Sequence, residues 1–156
     1  MAAPNRCTVT INGTAFQAVC ASVKFASQTD QSGQPLMGSL GSKIRVFADF
    51  HDTQNLPFSA LQSFFNLANV VTQQNIVAMK IDFWKDDAKQ DVICSYKFNG
   101  WISRFETINP SDATANMNGD SSYQYDYPTP VLNHMLVLDL QPALNQKNYG
   151  SWTMSN

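Results

Sequence analysis

Apolar and polar residues alternate along much of this chain. "KIRVFADF" places Ile44, Val46, Ala48 and Phe50 on one parity and Lys43, Arg45 and Asp49 on the other, the period-2 pattern of a strand with one buried face. "IVAMKIDFW" repeats it, with Val77, Met79, Ile81 and Phe83 opposite Lys80 and Asp82. "AFQAVCASVKFA" gathers Val19, Ala21, Val23 and Phe25 on one parity, and "VLNHMLVLDLQP" gathers Leu132, His134, Leu136, Leu138 and Leu140. Asn12-Gly13 follows the β-branched run "RCTVTI", and Asn99-Gly100 separates "VICSYKF" from "WISRFETI". Asn-Gly suits the two-residue hairpin turn, whose central residues both need positive φ, so two hairpins are predicted. One segment breaks the period. In "LPFSALQSFFNLANVV", Phe58, Leu61, Phe65 and Ala68 recur at three- and four-residue steps, the spacing of a helix face. Pro57 suits the first helical turn, where its missing N–H costs nothing. A helix is therefore expected over about residues 57–71.

Six or seven strands and one helix define a mainly β protein. The expected architecture is an antiparallel two-sheet barrel or sandwich with one helix packed alongside. A length of 156 residues fits one domain. The barrel is expected over about 6–141 and a polar, loose tail over 142–156. Two connections stand out. Residues 27–43, "SQTDQSGQPLMGSLGSK", read as a long, pliable link with little aliphatic bulk, in which Gly33, Gly38 and Gly41 permit backbone shapes that other residues resist. Residues 110–130 form a second long loop carrying Tyr123, Tyr125 and Tyr127. If extended, it would present these three rings on one side, suited to protein contact or self-packing, or to stacking on a sugar or base.

Charge changes the picture most at the helix. From Thr53 to Met79 no residue is charged, whereas the outer face of a surface helix usually carries Lys and Glu. The outer face is expected to consist of Gln62, Ser63, Asn66 and Asn69, with Phe64 and Leu67 left over as apolar contacts. Depletion of charge marks interface cores, so Phe64 and Leu67 are candidate subunit contacts; the competing reading is a neutral helix in a monomer. Elsewhere the ten basic residues are scattered and the net charge is −2, so no basic face points to nucleic acid. No apolar run is long enough for a membrane helix, and the N-terminus lacks a signal-peptide pattern, so synthesis and folding in a cytosol are expected.

Candidate chemistry is sparse. Cys7, Cys20 and Cys94 are an odd number at wide spacing and read as reduced, buried thiols rather than a disulfide frame or zinc site. His51 reads as an exposed strand-end residue, and His134 as a buried or interface histidine hydrogen-bonded to backbone. "KDDAKQD" lacks the alternating spacing that converges side chains on one calcium ion and reads as a solvated turn. Glu106, the single glutamate, has no acidic partner nearby in sequence. No nucleophile-elbow, zinc-protease, P-loop or CxxC motif is present. No catalytic residue, metal or cofactor is expected.

The order of these features resembles the tube protein of type VI secretion systems, the haemolysin-coregulated protein (Hcp) family, in its divergent branch known mainly from Bacteroidetes. The carrying residues are "AVCASVKFASQTDQSGQP", "GSKIRVFADF", the Phe- and Leu-rich helix, and "IVAMKIDFWKDDAKQDVICSYKFNGWI". They cover about residues 8–109, with the strand at 131–141. Specificity lies in their order and spacing, because no single motif is diagnostic. The 110–130 loop and the tail after Pro142 are longer than the family's pattern. The resemblance implies a small barrel of which six copies close a ring. Rings stack into a hollow tube that a contracting sheath drives out of the cell together with a spike, from a baseplate, carrying effector cargo; export then needs no signal peptide. It further implies that the connection after the strand at 19–25 reaches neighbouring subunits. Asp30, Gly33, Pro35, Leu36, Met37 and Leu40 are thereby candidate contacts. A phage-like tail tube would use the same kind of chain, and a monomeric ligand-binding barrel is the alternative of a different class.

Overall fold

A computed structural model of the protein describes residues 6–69, 72–108, 134–143 and 153–156. Within them lie β1 (Cys7–Ile11), β2 (Thr14–Ala18), β3 (Cys20–Thr29), β4 (Pro35–Asp49), helix α1 (Phe58–Asn69), β5 (Val77–Trp84), β6 (Val92–Ile108), β7 (Met135–Pro142) and β8 (Thr153–Ser155). All pairings are antiparallel, in the order β2-β1-β5-β6-β7-β4-β3, with β8 added beside β6. The two ends of that order, β2 and β3, are separated in sequence by Val19 alone, whose N–H donates to the Phe47 carbonyl at 2.8 Å. One bent stretch thus pairs with β1 by its first half and with β4 by its second. The two expected sheets are one continuous sheet curled on itself, which leaves few free edges.

The first hairpin is as its sequence requires. Asn12 and Gly13 both have positive φ, 51° and 80°, and join β1 to β2 in a two-residue turn. The second expected hairpin is absent, and this corrects the reading of Asn99-Gly100. β6 runs unbroken through it from Val92 to Ile108. Up to Gly100 the strand pairs with β5, and from Gly100 onward it pairs with β7. Glycine is needed there because of crowding, not turning: a Cβ on Gly100 would lie 2.4 Å from the backbone oxygen of Gln141.

The interior is filled by Val9, Ile11, Phe16, Ile44, Val46, Ile81, Phe98, Ile102, Leu138 and Leu140 with their neighbours. The alternation in β4 and β5 therefore points the way the sequence indicates. β6 departs from simple parity. A bulge between Ile102 and Arg104 lets both Ile102 and Phe105 face inward while Arg104 and Glu106 face out. Ser103, at the bulge, donates from its Oγ to the Asp139 carbonyl at 3.0 Å. On the outer face a smaller apolar group of Phe47, Met135 and Val137 is also buried, with Cys20 and Ile108 against it.

The buried face of the helix is rotated from the expected one, keeping Leu61 and Ala68 but not Phe58 and Phe65. Ala60 and Phe64 are buried, with Leu61, Leu67 and Ala68 packed against the core. The Phe64 ring lies 5.1 Å from that of Phe16. Phe58 and Phe65, assigned to the core stripe by spacing, are 70% and 48% exposed. Two apolar stripes overlap on this helix, and helical spacing alone does not choose between them. Pro57 stands just before the first turn and its carbonyl accepts the Ala60 and Leu61 N–H groups. Asn75 closes the other end, donating its side-chain amide to the Leu67 carbonyl at 2.9 Å.

Candidate assembly surfaces

The 27–43 stretch is the largest departure from the sequence reading. It is an ordered hairpin arm, since β3 and β4 stay paired from Cys20↔Phe47 out to Thr29↔Pro35, with one irregularity between Ser27 and Thr29. β7 borders β4 only from Ile44 to Asp49, so the arm projects past that wall from Lys24 to its turn at Asp30, about 20 Å at ~3.4 Å per residue. The turn builds itself from Asp30. Its Oδ1 accepts the Ser32 and Gln34 N–H groups, each at 2.9 Å, and the Ser32 hydroxyl at 2.6 Å. The Ser32 hydroxyl, then the Gln34 amide, hold the Asp30 carboxyl below its ordinary pKa. Hydrogen bonds to the charged form have this sign, so their support is present above the ordinary carboxylate pKa and is lost as pH falls through the lowered value. Gly33, at φ 85°, is the glycine of the arm that uses left-handed backbone; Gly38 and Gly41 lie within β4. Asp30 and Gly33 therefore have a local role in shaping the tip. Leu36 is 45% exposed. The side chains of Pro35, Met37 and Leu40, like the residues Tyr123, Tyr125 and Tyr127, lie outside the described part of the structure.

The second surface surrounds α1. Phe64 is a core residue and not the contact expected of it, and Leu67 is half-buried against the core. Phe58, Phe65 and Ile76 provide the exposed apolar area instead, on a segment with no charge to repel a partner. Phe65 is steadied from below by Phe105, edge-on at 5.6 Å. Ile93 and Met154 are also exposed, and Met154 lies opposite Tyr96 where β8 pairs with β6. Residues 153–155 are thus part of the sheet rather than a loose tail.

Polar groups on the barrel wall are largely internally matched. Arg45, buried in spite of its charge, donates Nε to Asp139 Oδ1 at 2.8 Å and Nη2 to Oδ2 at 3.2 Å, while Arg104 pairs with Glu106. Asp82 is buried on the same outer side, accepting from Ser95 Oγ at 2.5 Å with Lys80 Nζ 3.1 Å away. In the 85–91 turn, Arg6 binds Asp87 at 2.6 Å. His51 is exposed and stacks on His134 at 5.2 Å. His134 Nδ1 is buried without a hydrogen-bond partner among the described residues, so stacking on His51 and Phe50 positions that ring in place of the expected backbone bond.

All three cysteines are free thiols, with Cys7 buried and Cys20 and Cys94 half-buried. Burial, reinforced by Cys20, Asp82 and Cys94 nearby, pushes the Cys7 thiol up to about 12. Since the thiolate is the reactive form, Cys7 is expected to resist iodoacetamide at pH 8 in the folded protein and to react fully in denaturant. Mass mapping of the labelled cysteines checks this, and native labelling of Cys7 would contradict it.

Among the described residues no group of three or more His, Cys, Asp or Glu side chains is arranged to hold a metal ion, and no helix is long and apolar enough to cross a membrane. The fold defines a class: a small antiparallel barrel with one flanking helix and a projecting hairpin. Solved structures place that class. The chain resembles Hcp1 from Flavobacterium johnsoniae at a TM-score of 0.55 and 13% identity, over 87% of this chain and 89% of that one. It resembles an Hcp protein at 0.57 and 11% identity, over 96% and 98%. A type six secretion system protein matches at 0.55 and 9% identity, over 87% and 78%. The sequence matches no protein-family model and no curated protein. At these identities the likeness establishes an Hcp-like fold.

Proposed function

We propose that this protein is the structural subunit of the inner tube of a contractile secretion or injection system. Six copies close a ring and rings stack into a hollow tube, which leaves the cell through the apparatus carrying effectors. Sheath, spike and baseplate proteins would be its other partners. The observation that carries this reading is the pairing, on an Hcp-like fold, of an ordered arm projecting from the wall with an uncharged helix that exposes Phe58 and Phe65. Large aromatic rings rimmed by neutral polar residues suit a buried subunit contact. Distinct surfaces on one copy suit the heterologous contacts that close a ring. The role is mechanical, with no catalytic residue or cofactor assigned.

A monomeric ligand-binding barrel fits less well, because side chains such as Val9, Ile11, Phe16, Ile81 and Leu138, all at or near zero exposure, occupy the interior. A shallow groove of about 240 Å³ among the described residues is lined by Thr10, Ala78, Met79, Lys80, Lys97, Phe98 and Asn99. Light scattering on the purified chain separates the two. A particle of six chain masses supports the tube subunit, and a monomer that persists at high concentration refutes it.

A further inference from the structure

Two groups of charges without an ion-pair partner among the described residues lie apart along β4, one where the arm leaves the wall and one at the strand's C-terminal end. Lys24 and Lys43 are directly opposed in the β3–β4 register, and both are exposed. Like charges in direct cross-strand opposition are destabilising, and neither lysine has an ion-pair partner among the described residues. They form the first cross-strand pair of the arm, since β7 begins to border β4 at Ile44. Six residues along β4, about 20 Å away, the strand ends at Asp49. Asp52 follows in the turn. Their carboxylates are occupied by neutral donors: Asp49 Oδ1 accepts the His51 N–H, and Asp52 accepts the Asn55 side chain together with the Gln54 and Asn55 N–H groups. The Asn55 side chain, then its amide, keep the Asp52 carboxyl below its ordinary pKa, and His51 adds to this. No Lys or Arg pairs with Asp49 or Asp52 among the described residues, and the chain that follows is uncharged as far as Met79. The remaining charge on the arm, Asp30, lies at the tip and is engaged in its turn.

We infer that the Lys24–Lys43 pair of one copy docks on the Asp49–Asp52 end of a second copy displaced along the β4 direction, fixing head-to-tail stacking. This rests on the tube reading and adds the contact that sets polarity between rings. A copy stacked the wrong way round would bring lysines to lysines and carboxylates to carboxylates, which electrostatic complementarity penalises. With exposed lysines and half-buried carboxylates, the contact should weaken with salt before the apolar ring contacts do.

The test is sedimentation and negative-stain imaging of the full chain with Lys24→Glu and Lys43→Glu together. Single rings should persist while stacked particles fall about tenfold at matched concentration. Asp49→Asn with Asp52→Asn, which retains acceptors for the turn, should shorten stacks in the same way. Lys43→Glu combined with Asp49→Lys should restore them in part. Stacks unaltered by the lysine reversal, or lost without recovery in the charge swap, would overturn the inference while leaving the ring intact. A wild-type chain that forms no ring at all would remove both readings.

Discussion

Gly100→Ala should be the most damaging small substitution in the barrel. The added methyl would stand 2.4 Å from the Gln141 oxygen and 3.1 Å from both the Gln141 carbonyl carbon and Pro142 Cα. All three are backbone atoms, and they belong to the strand that β6 adopts as its partner at this point. No rotamer change relieves such a clash; the β6–β7 seam must move. A cost of about 3 kcal/mol or more is expected, in the range of overpacked sites that force backbone shifts. For a chain of this size that is roughly a 10 °C fall in melting temperature. Asn99→Ala, one residue earlier and exposed, should change stability by no more than about 0.5 kcal/mol. Thermal unfolding followed by circular dichroism distinguishes the two. A Gly100→Ala protein as stable as wild type would mean that the strands are not apposed as described.

The second large effect is on assembly. Phe58→Asp together with Phe65→Asp should convert rings to monomers while the fold survives, because both rings are exposed at the uncharged helix surface. The monomer loses the edge-on contact of Phe65 with Phe105, worth about 1 kcal/mol. Phe64→Ala should do the reverse in kind. That side chain is fully buried against Phe16, so its removal should cost about 3–5 kcal/mol through lost burial and a cavity. Light scattering paired with denaturant melts reads both quantities. An unfolded Phe58/Phe65 double variant, or a stable Phe64→Ala protein, would reverse the assignment of the helix faces.

The adjacency of Phe64 and Phe65 also shows where sequence reasoning reached its limit. The helix position and its missing charge were legible, because periodicity and composition are local. The choice of buried stripe was not: Phe58-Leu61-Phe65-Ala68 and Ala60-Phe64-Leu67 both satisfy helical spacing, and only the position of Phe16 on β2 decides between them. Asn99-Gly100 failed for a related reason. Asn-Gly carries the same local signal whether it turns the chain or, as here, passes beneath another strand. At Asn12-Gly13 the signal meant what it said, and both residues have positive φ. The alternation in β4 and β5 predicted the core correctly for Ile44, Val46, Ala48, Met79 and Ile81. It could not foresee that Arg45, on the polar parity, would be buried by an Asp139 lying 94 residues away.

The glycine-containing stretch at residues 27–43 was the least legible part of the candidate surfaces. Its composition suggested slack chain, yet backbone pairing extends along it to Thr29↔Pro35, and a single carboxylate organises the tip. A hairpin arm suits the proposed role better than a pliable loop, since an ordered projection loses less conformational entropy when it docks.

Negative-stain imaging of the purified wild-type chain tests the central claim most directly. The account predicts six-fold annuli with an open centre, some of them stacked into short tubes. A field of solitary compact particles, unchanged across concentration and salt, would contradict it.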